Sequence, residues 1–74
     1  MKNKKFSSFS FGTLLKELRR QHELSQVALA EKLSISQDTI SLWECGKSLP
    51  DFWSIRKLAE IFDLSADYLL GLED

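Results

Sequence analysis

Apolar side chains recur along this chain at helical spacing, in short bursts separated by polar punctuation. Phe11, Leu14, Leu15 and Leu18 fall at i, i+3, i+4 and i+7, the stripe of a helix with one buried face. That spacing predicts a first helix from near Phe11 to about His22, with Lys16, Glu17 and Arg20 on the opposite side. Ser25 is a good N-cap, and after it Leu29, Ala30 and Leu33 point inward, with Leu24 placed to fold back onto Leu29 as a staple. Ser36 offers the next cap, for a helix that runs to about Cys45 with Ile40 and Trp43 inward and Gly46 as its left-handed stop. Asp51 caps a fourth helix, in which Ile55, Leu58, Ala59 and Phe62 repeat the first helix's spacing. Ser65 caps a last short helix that Gly71 ends. No stretch alternates with the period of a strand, so the class is all-α.

The second and third helices are too short to stand alone and must lean on neighbours. Joined by only a few residues, they meet at a steep angle, because so short a linker does not permit antiparallel packing. Ala30 supplies the small side chain the corner needs, and Leu29, Leu33, Ile40 and Trp43 pin the third helix to the body. Its outer edge then carries Gln37, Asp38, Ser41, Leu42 and Cys45. Such an edge suits a major groove about 12 Å wide.

Composition narrows the field. The chain has 74 residues, room for one marginal core that buries roughly 60% of the unfolded surface. Its single cysteine excludes an internal disulfide and a cysteine-based metal cluster. No apolar run approaches the roughly 18 residues of a membrane span, and no apolar segment follows the N-terminal lysines as an export signal would require. A reducing cytoplasm is therefore the expected compartment. The net charge of −1 is unevenly spread. Residues 1–20 hold Lys2, Lys4, Lys5, Lys16, Arg19 and Arg20 against Glu17, whereas the remainder is acidic. Residues 1–10 read as a basic and aromatic arm, which is either a solvated tail or a strand-tracking extension.

From Leu24 to Lys47 the sequence LSQVALAEKLSISQDTISLWECGK, followed by Leu49-Pro50-Asp51, Lys57-Leu58-Ala59 and Leu64-Ser65-Ala66-Asp67-Tyr68-Leu69-Leu70-Gly71, resembles the Cro/C1-type helix-turn-helix regulators, the Xre family. The resemblance implies a compact five-helix, lambda-repressor-like DNA-binding domain over residues 11–72, with the helix-turn-helix pair at 25–45. It implies that Gln26 binds a DNA phosphate at a helix N-terminus, and that Ser36, Gln37, Asp38, Ser41 and Leu42 face base edges. It implies that Lys47 and the loop after Gly46 clamp a second phosphate. Thr39 and Cys45 complete the DNA-facing set. Arg19 and Glu44 match a family ion pair that ties the first helix to the recognition helix. Two positions depart from the pattern: Ser34 stands where glycine is usual in the turn, and Cys45 replaces a common Asn or Arg.

The chemistry of the edge is readable without the family. Gln37 can bind adenine N6 and N7 bidentately. Asp38 repels phosphate but accepts from cytosine N4, Ser41 reaches a phosphate or a base, and Leu42 touches a thymine methyl. Residues 26–48 carry Lys32 and Lys47 against Glu31, Asp38 and Glu44, so much of the attraction to phosphates must come from the first helix and the arm. His22 suits a helix C-terminus. No nucleophile motif or phosphate-cradling glycine loop is present.

These observations point to a stand-alone, sequence-specific binder of double-stranded DNA, a transcriptional regulator that represses by occluding a promoter. The expected partner set is an inverted-repeat operator and a second copy of the chain, since one such module seldom binds tightly alone. Phe6, Phe9, Phe52, Trp53 and Tyr68 exceed what a small core needs, and the loop before the fourth helix and the last helix are the preferred regions for a dimer contact. Neither a cofactor, a metal, a catalytic residue, a membrane nor a small-molecule substrate is expected. The alternative is a protein-interaction module of the same fold, such as an antitoxin or scaffold with weak DNA binding.

Overall fold

The computed structural model describes residues 7–72. The basic part of the arm, Lys2 to Phe6, lies outside the described residues, as does the side chain of Phe9. Five helices follow one another: α1 (Ser8–Gln21), α2 (Gln26–Leu33), α3 (Gln37–Glu44), α4 (Phe52–Phe62) and α5 (Ala66–Leu69). Among the described residues there is no strand.

Each helix begins on a side-chain cap. The hydroxyls of Ser7, Ser25, Ser36 and Ser65 and the carboxylate of Asp51 accept from the backbone N–H three residues on, at 2.8–3.3 Å. Each satisfies one of the donors a helix start leaves without a partner. The first cap corrects the sequence expectation: α1 starts at Ser8, three residues before Phe11. The apolar stripe begins only at Phe11, so the preceding turn has no periodic signal. The Ser7 cap and the 2.6 Å contact between the Ser7 and Ser10 hydroxyls close that turn instead. At its other end α3 stops at Glu44, with Cys45 as its cap.

The helix ends share a second device. Glu23, Ser34, Gly46, Asp63 and Gly71 all have positive φ, and each donates its N–H to a carbonyl three residues back. The next residue in each case (Leu24, Ile35, Lys47, Leu64 or Leu72) donates five residues back. This double bond pattern satisfies the orphan carbonyls of a helix end. Ser34 at φ 59° takes the left-handed conformation its glycine-like position requires. A left-handed non-glycine residue costs about 1–2 kcal/mol. The cost at Glu23, Ser34 and Asp63 is offset because Leu24, Ile35 and Leu64 are thereby turned onto the core.

The core itself gathers Phe11, Leu15 and Leu18 from α1, Leu29, Ala30 and Leu33 from α2, Ile40 and Trp43 from α3, Ile55, Leu58 and Phe62 from α4, and Leu69 from α5. Leu14 and Ala59 pack at its margin. His22 caps α1, with Nδ1 3.0 Å from the Leu18 carbonyl and its ring edge-on to Phe62 at 4.9 Å. The packing of α3 against both α1 and α2 matters most for function, because it leaves the outer edge of α3 facing solvent.

Candidate nucleic-acid interface

The site begins in the body of the molecule, at a close crossing of α1 and α3. A Cβ at Gly12 would lie 2.5 Å from the Trp43 carbonyl oxygen and 2.8 Å from that of Glu44. No side chain fits there, so glycine is what lets α1 approach the last turn of α3. Sequence reading missed this residue. A glycine interrupting an otherwise good helical stripe, one position after Phe11, was the available signal.

Two turns further along α1, Arg19 spans the same crossing. Its Nε donates to Glu44 Oε2 at 2.6 Å and its Nη2 to Glu44 Oε1 at 3.0 Å, a two-pronged pair with planar fit. Nη1 donates to the Leu24 carbonyl at 2.9 Å, fastening the α1–α2 linker as well. The side chains are 12% and 2% exposed for Arg19 and Glu44 respectively. The hydrogen bond to Glu44 and the charge of that carboxylate raise the Arg19 pKa above its ordinary value, against the opposing effect of burial. Among the described residues, no buried side-chain nitrogen or oxygen lacks a hydrogen-bond partner.

The network continues outward. Gln26, opening α2, donates from Nε2 to Glu44 Oε1 at 3.0 Å. Its own Oε1 accepts from Gln37 Nε2 at 2.9 Å, in the first turn of α3. Four side chains from three helices therefore form a continuous path from a buried ion pair to an exposed amide. Gln26 is half-buried and Gln37 exposed.

The remaining candidates sit around this path. Asp38, Leu42, Cys45 and Lys47 are exposed, Leu42 at 45%. Ser41 is half-buried on the same helix. Ser36 and Thr39 are partly committed to the helix start: the Ser36 hydroxyl accepts from Thr39 N–H and lies 3.0 Å from the Thr39 hydroxyl. Lys47 is held in place by its backbone N–H bond to the Leu42 carbonyl at 2.9 Å, with Gly46 at φ 78° making the turn. Lys16 and Arg20 are exposed on α1. The described residues contain no group of three or more side chains able to hold a metal ion. No helix of the described residues is long and apolar enough to cross a membrane.

Large apolar side chains are also exposed outside this site. Phe52 is 74% and Trp53 50% exposed, and Leu49, Tyr68 and Leu72 are also open. Lys57 Nζ lies 5.8 Å from the centre of the Trp53 ring.

A helix-turn-helix family model matches residues 15–69. The HTH-type transcriptional activator BcrR of Enterococcus faecalis is 38% identical over 64 residues, covering 86% of this chain and 31% of that protein. The restriction-modification controller protein C.AhdI from Aeromonas hydrophila superposes with a TM-score of 0.76 at 31% identity, over 84% of this chain and 94% of its own. The P22 c2 repressor, solved in complex with a synthetic operator, superposes with a TM-score of 0.79 at 27% identity, over 85% and 96%. The chain spans between 31% and 56% of the length of the curated relatives it matches.

Proposed function

The chain belongs to the Cro/C1-type helix-turn-helix family, and from that premise we propose that it is a sequence-specific double-stranded DNA-binding transcriptional regulator that reads the major groove with α3. The observation that carries this reading is the outer edge of α3. It is exposed from Gln37 through Leu42 to Lys47, yet anchored from behind by the Gly12 crossing and the Arg19–Glu44 pair. A reading element must be both accessible and rigid.

Gln37 contacts adenine N6 and N7, Asp38 accepts from a cytosine N4, Leu42 lies against a thymine methyl, and Ser41 bonds a base or a phosphate. Gln26 uses one N–H on Glu44 and keeps its second for a phosphate. Lys47 clamps a second phosphate. Ser36, Thr39 and Cys45 border the groove. The protein acts in the cytoplasm as a repressor that occludes a promoter, and needs no metal or cofactor to bind. It works as a homodimer on an inverted repeat whose half-sites lie about 34 Å apart. The exposed Phe52 and Trp53 beside Leu49 support that dimer.

The same aromatics favour a second reading, an interaction module of the antitoxin or scaffold kind. Selection of bound duplexes from a random pool separates the two. The regulator enriches an inverted repeat, its affinity falls log-linearly with salt, and Gln37→Ala relaxes one position per half-site. An unenriched pool, or a loss spread equally over all sequences in Gln37→Ala, contradicts the assignment.

A further inference from the structure

The path from Arg19 to Gln37 has a direction, and that direction is fixed at its buried end. A carboxylate only accepts hydrogen bonds. Glu44, 2% exposed, receives two from Arg19 and one from Gln26. Gln26 must therefore turn its amino group inward and its carbonyl outward. That outward carbonyl is a pure acceptor, so Gln37 can meet it only with its own amino group, as the 2.9 Å bond records. Gln37 is left with one N–H and its carbonyl oxygen for whatever lies beyond. One donor beside one acceptor matches the N7 acceptor and N6 donor of adenine, whereas guanine offers two acceptors, N7 and O6.

We propose that Glu44 is a specificity-determining residue that selects adenine over guanine at the base pair facing Gln37, acting as a positioning residue through Gln26 without touching DNA. The inference rests on the DNA-reading assignment of α3 made above. It makes a definite claim about Glu44→Gln. In that variant the amide oxygen keeps the place of Oε2, on the 2.6 Å bond from Arg19 Nε, and the 3.0 Å bond from Nη2 is given up; the new amino group takes the place of Oε1 and faces Gln26. Gln26 then turns its carbonyl inward and its amino group outward, Gln37 answers with its oxygen, and its amino group is freed to present two donors. Two donors are the guanine match. A residue with only a structural role would lower affinity for every duplex alike and leave the ratio between bases unchanged.

The test compares two duplexes carrying the selected site, identical except for adenine or guanine at the Gln37 position, by fluorescence anisotropy. The proteins are the wild type, Glu44→Gln and Gln26→Met. Gln26→Met leaves the ion pair intact and removes the link between Glu44 and Gln37. It also gives up the Gln26 phosphate contact, which lowers affinity for both duplexes alike and leaves their ratio as the readout, so it carries the test if Glu44→Gln does not fold. The wild type is expected to favour adenine about tenfold or more. In each folded variant that ratio falls to within about threefold, inverting in Glu44→Gln if the relay reverses fully, while preferences at neighbouring base pairs persist. Retention of the full adenine preference in either folded variant overturns the proposal and leaves the DNA reading standing. A wild type that discriminates among no sequences overturns the DNA reading and this inference together.

Discussion

Gly12 lies so close to Trp43 that the carbonyl oxygen of the tryptophan occupies the space of a side chain. Helix α1 is thereby held against the final turn of α3, and the angle of that helix depends on a missing methyl group. In an ordinary exposed helix interior, glycine to alanine gains about 1 kcal/mol. Here the sign reverses. Gly12→Ala drives a methyl into two backbone oxygens that belong to a helix end and cannot swing aside. It should destabilise the fold by about 1–3 kcal/mol, read as a lowered urea midpoint. A rise in the midpoint would show that α1 and α3 can part without loss.

Removing Arg19 leaves Glu44 buried with only Gln26 beside it. Arg19→Ala should cost about 3 kcal/mol, because an uncompensated buried charge is expensive. The double variant Arg19→Met with Glu44→Leu should lose less than either single change, since an apolar pair of similar volume removes the charges together. Equilibrium unfolding of the three proteins measures this. A loss of only a few tenths in Arg19→Ala would mean that water reaches Glu44.

Asp51 gives the cap of α4 an acid-sensitive character. The backbone N–H of Ser54, followed by the Ser54 hydroxyl, holds the Asp51 carboxyl below its ordinary pKa. A group whose folded pKa is depressed stabilises fully above the unfolded value, about 3.9, and that stabilisation fades as pH falls through the folded value. Asp51→Asn keeps a capping oxygen but cannot titrate. Its melting temperature should therefore fall less steeply than that of the wild type below about pH 4, with the two curves parallel above it. Equal slopes throughout would remove Asp51 from the acid response.

The apolar surface yields a prediction about assembly. Phe52 is exposed and makes little contribution to the core, so Phe52→Glu should alter folding stability by no more than about 0.5 kcal/mol. If Phe52 and Trp53 join two copies, sedimentation equilibrium will show a dimer for the wild type and a monomer for Phe52→Glu. A monomeric wild type at high concentration would place the contact elsewhere or abolish it.

Much of this architecture was legible because local chemistry and burial agree. Ser25, Ser36, Asp51 and Ser65 each precede a helical stripe, and each is a cap in the structure. Gly46 and Gly71 stop helices in the left-handed conformation, and Ser34 adopts it in place of glycine. Glu23 and Asp63 were not legible as stops. Glutamate has no leaning towards positive φ and aspartate only a modest one, and what imposes it is the burial of Leu24 and Leu64 beyond them. The start of α1 was obscured because the turn ahead of Phe11 carries no apolar stripe and is held by the Ser7 cap instead. At the site, the outward-facing residues of α3 could be named from spacing. Their organisation could not, because the Gln26–Gln37 bond joins two surface amides whose orientation is dictated by a third residue buried between helices.

The outer edge of α3 is proposed to enter a duplex. The most direct measurement is a titration of the isotopically labelled protein with the selected duplex, followed by amide and side-chain shifts at increasing salt. Saturable shifts are expected at Gln26, Gln37, Asp38, Ser41 and Lys47, including the side-chain amides of both glutamines, and they weaken log-linearly as salt rises. Shifts confined to Leu49, Phe52 and Trp53, or none along α3, would contradict it.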